Sequence, residues 1–293
     1  MGTPLGTISD NRGANAVSME TAEAMTGERR GWSKEFMGRI AAVAPVMGDS
    51  SLISFAAPDG LVASARAGQF VEILCRSEEA YDPLLRRPYS IYAADPATSE
   101  LTILVRPYGR GSRWLCNQPP GPLLNVLGPL GNTFEIATKS RNLLMVAGGV
   151  GTAPLVMLAK AAVSNGLSVT FLMGAMTADG LLTSRLLPGQ VEYVVATDDG
   201  SQGHRGFVTD LVPEYLRWSD QVFSCGPEAM FRSLRSVVLA NRFGKHPPVQ
   251  MSVERAMACG VGACLGCVVE TRSGMKASCV DGPVFDMDQV VWS

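Results

Sequence analysis

Four cysteines near the end of the chain constrain it more than any other feature. In "CGVGACLGC", residues 259–267, three of them stand at the spacing CxxxxCxxC, and the fourth, Cys279, follows after eleven residues. At this spacing a tight loop can offer three thiolates and a later strand a fourth to a 2Fe-2S cluster. Cys259, Cys264, Cys267 and Cys279 are therefore the candidate metal ligands. Gly260, Gly262 and Gly266 are expected to let the backbone fold closely around the cluster and aim N–H groups at its sulfurs. Two other readings compete: a zinc site, which more often shows paired CxxC knuckles, and unrelated free thiols, which rarely fall at such a spacing.

The rest of the chain sets the context. With 293 residues and 46% hydrophobic content it has material for about two domains with sizeable cores. Its formal net charge is −2, with both signs interspersed, so no basic footprint for nucleic acid or an anionic membrane is visible. No apolar run approaches the roughly 18 residues of a membrane span, and no secretory signal is evident; the expected location is the cytoplasm. There, clustered cysteines point to metal or redox chemistry, and seven is an odd number for a disulfide framework. Cys75 and Cys116 are expected as small buried hydrophobes, and His204 and His246, in Gly- and Pro-rich loops, as surface residues.

Residues 1–33 are rich in small and polar types and are expected as a flexible tail. From 34 to 136 short β-rich runs such as "QFVEILCR" and "LTILVRPY" alternate with turn residues, which predicts a small antiparallel barrel. From 137 to 243 the texture changes: "NLLMVAGG", "LSVTFLMGA", "VEYVVATDD" and "QVFSCGP" predict buried strands, with helices after the glycine turn and over "GFVTDLVPEYL" and "PEAMFRSLRSVVLANRF". That is the rhythm of a doubly wound parallel sheet. The thiol segment occupies 244–293. The fold class is thus α+β and multidomain: an antiparallel β-barrel, an α/β parallel-sheet domain, and a small C-terminal 2Fe-2S domain.

Two further motifs carry chemistry. "RRPYS" at 86–90 and "RPYGRGSRWL" at 106–115 offer what a flavin dinucleotide needs. Arg87 supplies a cation for the pyrophosphate, Tyr89 and Ser90 an aromatic ring and a hydroxyl, and the Gly111–Ser112 turn backbone amides. Alone, each could equally be a strand-end charge or an ordinary turn. "AGGVGTAPL" at 147–155 sets Gly148, Gly149, Gly151 and Thr152 between a buried strand and a helix, where a dinucleotide phosphate can approach the backbone; packing glycines look the same. Cys225, Gly226 and Pro227 fall at the carboxyl end of another strand, where open α/β sheets bind ligands. "FLMGAMTADG" holds no Arg or Lys for a 2′-phosphate, which favours NAD over NADP. Asp198 and Asp199 could border the nicotinamide or be solvated turn residues.

Taken together, these motifs and their order, with "LGPLGNTF", "TDDGSQGHRGFVTDL", "ERAMACGVGACLGCVV" and "CVDGPVF", resemble the ferredoxin-reductase-like electron-transfer subunits of class B dihydroorotate dehydrogenase over roughly residues 34–293. The resemblance implies FAD on Arg87, Pro88, Tyr89 and Ser90, on the strand Leu104, Val105 and Arg106, and on Gly111 and Ser112, with Ser112 standing where the family usually has Thr. It implies the 2Fe-2S cluster on the four cysteines, NAD as acceptor, and no catalytic residue of its own. The implied partner is an FMN-containing catalytic subunit that oxidises dihydroorotate in pyrimidine biosynthesis, in a heterotetramer of two subunits of each kind. The alternatives are the reductase subunit of a ferredoxin/NAD(P) transhydrogenase or of a sulfhydrogenase, and a zinc-binding interaction module; the transhydrogenase pattern has Asp where this chain has Cys259.

Overall fold

The computed structural model describes residues 34–240 and 246–292. The expected tail, and the last residues of the helix expected to end at Phe243, lie outside them. Residues 34–130 form a closed barrel of six antiparallel strands in the order β1-β2-β5-β4-β3-β6. These are β1 (Lys34–Met47), β2 (Ser50–Ala56), β3 (Phe70–Ile73), β4 (Arg87–Asp95), β5 (Glu100–Val105) and β6 (Leu123–Leu130), with two short helices, α1 (Asp59–Ser64) and α2 (Arg110–Cys116), in the connections. Alternation explains the closure. Ile53, Phe55, Val71, Ile73, Ile91, Leu101, Ile103 and Val126 meet in one buried cluster, because every second side chain of a strand faces the same way.

The same alternation sends Phe70 and Glu72 of β3 to the outside of the barrel. There Phe70 packs with Leu130, Cys267, Ala277 and Cys279, so the outer wall of the barrel is the floor of the thiol segment.

Beyond the barrel lies a seven-stranded sheet in the order β10-β9-β8-β7-β11-β12-β15. It comprises β7 (Asn142–Gly148), β8 (Ser168–Ala175), β9 (Glu192–Thr197), β10 (His204–Arg205), β11 (Gln221–Cys225), β12 (Val249–Ser252) and β15 (Val284–Asp286). Helices α3 (Thr152–Ser164), α4 (Val212–Leu216) and α5 (Glu228–Ala240) connect them, and β13 (Val268–Thr271) and β14 (Gly274–Ala277) form a separate hairpin. "LLMVA" in β7 is continuously apolar because both faces of the central strand are covered: Leu143, Met145 and Ala147 belong to one core, Leu144 and Val146 to another. The segment expected as one helix over 206–216 is a 3₁₀ turn at Val208–Asp210 followed by α4.

The C-terminal segment, expected as a small domain of its own, also supplies strands to this sheet. β12 runs parallel to β11, and β15 returns antiparallel to β12. The thiol loop is therefore slung between two strands of the seven-stranded sheet. Asn132, just past the barrel, fastens it from the other side: its side chain donates to the carbonyls of Asp281 (3.0 Å) and Val284 (2.8 Å) and accepts from the Val284 N–H (2.9 Å).

Candidate functional site

Three groups of residues come together along the fold. The first is the set of four thiols, all free and none in a disulfide. They stand as two pairs: Cys259 and Cys264 share a hydrogen bond, and so do Cys267 and Cys279. Backbone N–H groups point at the sulfurs, from Gly262 to Cys279 at 3.2 Å, from Cys279 to Cys267 at 3.4 Å and from Gly266 to Cys264 at 3.5 Å. Burial opposes ionisation of Cys259, but the amides of Val261, Ala263 and Cys264 and the Cys264 thiol outweigh it and bring the Cys259 thiol down to about 6. Burial, then the neighbouring Cys267 thiol, pushes Cys279 up to about 12. Two thiol pairs with inward amides suit a two-iron cluster, whose irons take two thiolates each and whose sulfurs accept N–H bonds.

The loop glycines do not contribute alike. Gly260 and Gly262 have φ of +69° and +80°, and a Cβ on them would lie 2.8 Å from Glu72 Cγ and from Val280 Cγ2 respectively. Gly266 is not in the left-handed region, and a Cβ there would make only an ordinary contact, 3.6 Å from Cys264 Sγ. Gly266 therefore aims its N–H at a sulfur as expected, while the close approach of the backbone falls to Gly260 and Gly262. Leu265, a non-glycine with φ +55°, carries the tight turn between the second and third cysteines.

The second group surrounds a cavity of about 620 Å³ on the barrel. Arg87, Pro88, Tyr89, Arg106, Gly111 and Ser112 all line it. The GRGS stretch is the first turn of α2, where the Ser112 hydroxyl accepts the Gly109 N–H at 3.0 Å. Arg106 lies over the Tyr108 ring, 4.7 Å from its centroid, and donates to its hydroxyl at 2.9 Å. Arg87 donates to the carbonyls of Leu85 and Arg86, and Arg110 is ion-paired with Asp82 at the cavity edge. Ser90, Leu104 and Val105 are not part of the lining. Leu104 and Val105 are buried in cores, so their side chains are spent on packing.

The third group sits at the carboxyl ends of β7 and β11, adjacent strands from which the chain departs in opposite directions across the sheet. This is a topological switch point, the place where open α/β sheets take dinucleotides. Glycines let the two turns touch. A Cβ on Gly148 would lie 2.8 Å from Pro227 Cδ, one on Gly226 3.1 Å from the Gly148 backbone, and one on Gly151 2.4 Å from the Cys225 carbonyl oxygen. Gly149, with φ +54°, opens the turn into α3, and the buried Thr152 hydroxyl has no partner among the described residues. Cys225 is fully buried, burial holds its thiol well above the usual range, and its sulfur is 3.9 Å from Glu254 Oε1.

Residues 145–236 match the oxidoreductase NAD-binding domain family, and residues 254–291 the iron-sulfur cluster binding domain of dihydroorotate dehydrogenase B. The dihydroorotate dehydrogenase B (NAD(+)) electron transfer subunit of Desulforamulus reducens is 37% identical over 267 residues, which is 89% of this chain and 99% of that one. The chain belongs to this family of electron transfer subunits. The Bacillus caldolyticus member is 39% identical over 229 residues, covering 76% of this chain and 86% of its own. Among solved structures, an NADH-dependent reduced ferredoxin-NADP oxidoreductase, reported for flavin-based electron bifurcation, superposes with a TM-score of 0.76 at 30% identity, covering 87% of this chain and 90% of that one. An Amycolatopsis cytochrome P450 reductase shares the fold, at a TM-score of 0.60, 24% identity, and 75% and 70% coverage. The chain is accordingly an electron-transferring oxidoreductase subunit, and no helix among its described residues is long and apolar enough to cross a membrane.

Against this family background some expectations change. His246 is half-buried and not a freely exposed residue: its side chain is 13% exposed and faces Asp288 of the C-terminal segment at 3.4 Å. His204 is exposed, 3.4 Å from Asp210. Asp198 and Asp199 are exposed turn residues, and Asp199 accepts bonds from the Ser201 amide and hydroxyl, the hydroxyl first among the causes that lower its pKa. Sequence reasoning passed over Glu72, Asn132 and Glu254. Only a charge inside the apolar run "FVEILC" hinted at the first.

The contact at Gly151 gives a direct test of the switch point. Gly151→Ala puts a methyl against the backbone of the neighbouring strand end, a clash costing about 1–3 kcal/mol or a shift of the turn. The expected result is a rise of tenfold or more in KM for NADH in dye reduction, with iron and flavin contents unchanged.

Proposed function

We propose that the chain delivers the electrons of dihydroorotate oxidation, received from the FMN of a catalytic partner subunit, to NAD+. In this reading Cys259, Cys264, Cys267 and Cys279 hold a 2Fe-2S cluster and the barrel cavity holds FAD. The observation that carries it is the seating of the thiol loop on the barrel. Glu72 of β3 packs against Gly260, and Pro88, paired with Glu72 across the sheet, lines the cavity. The two sites are neighbours across hydrogen-bonded strands. When bound, the cluster supplies single-electron transfer, and the flavin joins it to two-electron exchange with nicotinamide.

The chain's own residues bind and orient. Arg87 offers charge to the pyrophosphate, Tyr89 its ring at the cavity wall, Gly111 and Ser112 the α2 turn, and Arg106, just past β5, its guanidinium, while Ser90, Leu104 and Val105, which do not line the cavity, contribute only through the backbone of β4 and β5. Gly148, Gly149, Gly151 and Thr152, with Cys225, Gly226 and Pro227, form the bed for NAD. The division of labour follows the chain: 34–136 for FAD, 137–243 for NAD, 244–293 for the cluster. The assembly is a cytoplasmic heterotetramer of two catalytic and two electron-transfer subunits. A ferredoxin–NADP-type reductase subunit is the second reading, favoured by the similarity to the bifurcating oxidoreductase.

The deciding experiment combines the purified chain with an FMN-containing dihydroorotate dehydrogenase subunit. Alone, the chain is expected to pass electrons from NADH to an artificial dye and to leave dihydroorotate untouched. Mixed, the two are expected to reduce NAD+ with dihydroorotate. Dihydroorotate oxidation by the chain alone, shown free of FMN, would overturn the assignment.

A further inference from the structure

We propose that Cys75 is a positioning residue of the flavin cavity, fixing the ring of Tyr89 from behind and seating the first turn of α2. The inference rests on the reading of that cavity as the FAD site. Cys75 lies just beyond β3, is fully buried and does not line the cavity; Tyr89 and Gly111 do. Its sulfur is 3.5 Å from Tyr89 Oη and 3.5 Å from the carbonyl oxygen of Ile73. A largely buried phenol needs a partner for its hydroxyl. Among the described residues the Cys75 thiol is that partner. The phenol donates to the sulfur and the thiol donates to the Ile73 carbonyl, a two-link chain that anchors a wall residue to the backbone of β3.

Burial pushes the Cys75 thiol up to about 11 and holds the Tyr89 phenol well above its ordinary value, so both keep their protons at neutral pH. The link is then a neutral hydrogen bond, insensitive to pH in the working range. On its other side Cys75 meets α2: a Cβ on Gly111 would lie 3.1 Å from Cys75 Cβ. One small side chain therefore touches two wall segments that come from distant parts of the sequence. Serine keeps the donor and acceptor; alanine removes both and leaves the phenol unsatisfied.

The test is a double-mutant cycle on the full-length chain, read by FAD affinity after flavin removal and by visible circular dichroism of the bound flavin. Cys75→Ala and Tyr89→Phe are each expected to weaken FAD binding about five-fold, the weight of one hydrogen bond, and to alter the dichroism in the same way. The double variant is expected to be no worse than either single one, and Cys75→Ser to bind within about twofold of the parent. Additive losses, or a Cys75→Ala chain with unchanged affinity and dichroism, would sink the inference. Arg87→Ala separates the two levels. If it loses FAD while the Cys75–Tyr89 cycle is additive, only the positioning role falls. If Arg87→Ala and Tyr89→Phe both leave FAD affinity unchanged, the cavity assignment falls and the inference with it.

Discussion

Cys264→Ser is expected to strip the chain of iron and acid-labile sulfide while leaving its FAD bound. Serine oxygen holds its proton more tightly than sulfur and is a harder, poorer ligand for iron in a sulfide cluster. Cys264 is exposed and belongs to no apolar core, so its replacement costs little folding energy. That separates it from Cys267 and Cys279, which pack with Phe70 and Leu130. Iron, sulfide and flavin quantified on the purified variant give the answer directly. A full complement of iron would remove Cys264 from the ligand set. In the assembled complex the same variant should keep NADH-to-dye activity and lose dihydroorotate-dependent NAD+ reduction.

The second large effect concerns Glu72. Its carboxyl is fully buried, and neither oxygen has a hydrogen-bond partner among the described residues. Burial is the main cause that raises its pKa from the ordinary 4.5 to about 7, opposed by Arg86 and Arg87 and aided by Cys259. Below pH 4.5 the carboxyl is protonated folded or unfolded and costs nothing. Between 4.5 and 7 the folded chain holds a proton that the unfolded chain has released, so stability falls as pH rises. Above the raised pKa both are ionised and the penalty levels off. Glu72→Gln removes this dependence. The variant is expected to melt no higher than the parent at pH 5 and several degrees higher at pH 8, measured on holoprotein at both pH values. A pH-independent difference in melting temperature would show that Glu72 is not held as a strained buried carboxyl.

Glu72 also marks where sequence reasoning stops. The ligand spacing of the thiols, the strand-turn-helix at the glycines and the RPYS run are local patterns, and local patterns are legible because loop geometry and helix starts depend on neighbours in the chain. The barrel followed from period-two runs and the parallel sheet from apolar strands alternating with helices. What could not be read arises from long-range contact. Glu72 is buried where Gly260, from a loop almost two hundred residues later, lies against it. Cys75 looks like a small hydrophobe until β4 brings a phenol to its sulfur. Leu265 carries a left-handed turn that its residue type does not announce, and Gly266, which has the right type, does not use its freedom. His246 was misjudged for the same reason, since Asp288 reaches it only after the chain has doubled back.

The fastening of the thiol loop bears on how far the cofactor sites can drift apart. Lobes joined by a small polar interface ordinarily move against each other. Here the loop leaves the sheet at β12 and returns to it at β15, while Asn132 binds it to the end of the barrel through three side-chain hydrogen bonds. Opening a gap between the thiol loop and the barrel would mean breaking those bonds and peeling Phe70 from its apolar contacts at once. The seat of the thiol loop on the barrel is thus set by the frame and not by a hinge. If the four thiols hold the cluster and the barrel cavity the flavin, as proposed, the distance an electron must cross is then a fixed property of the frame.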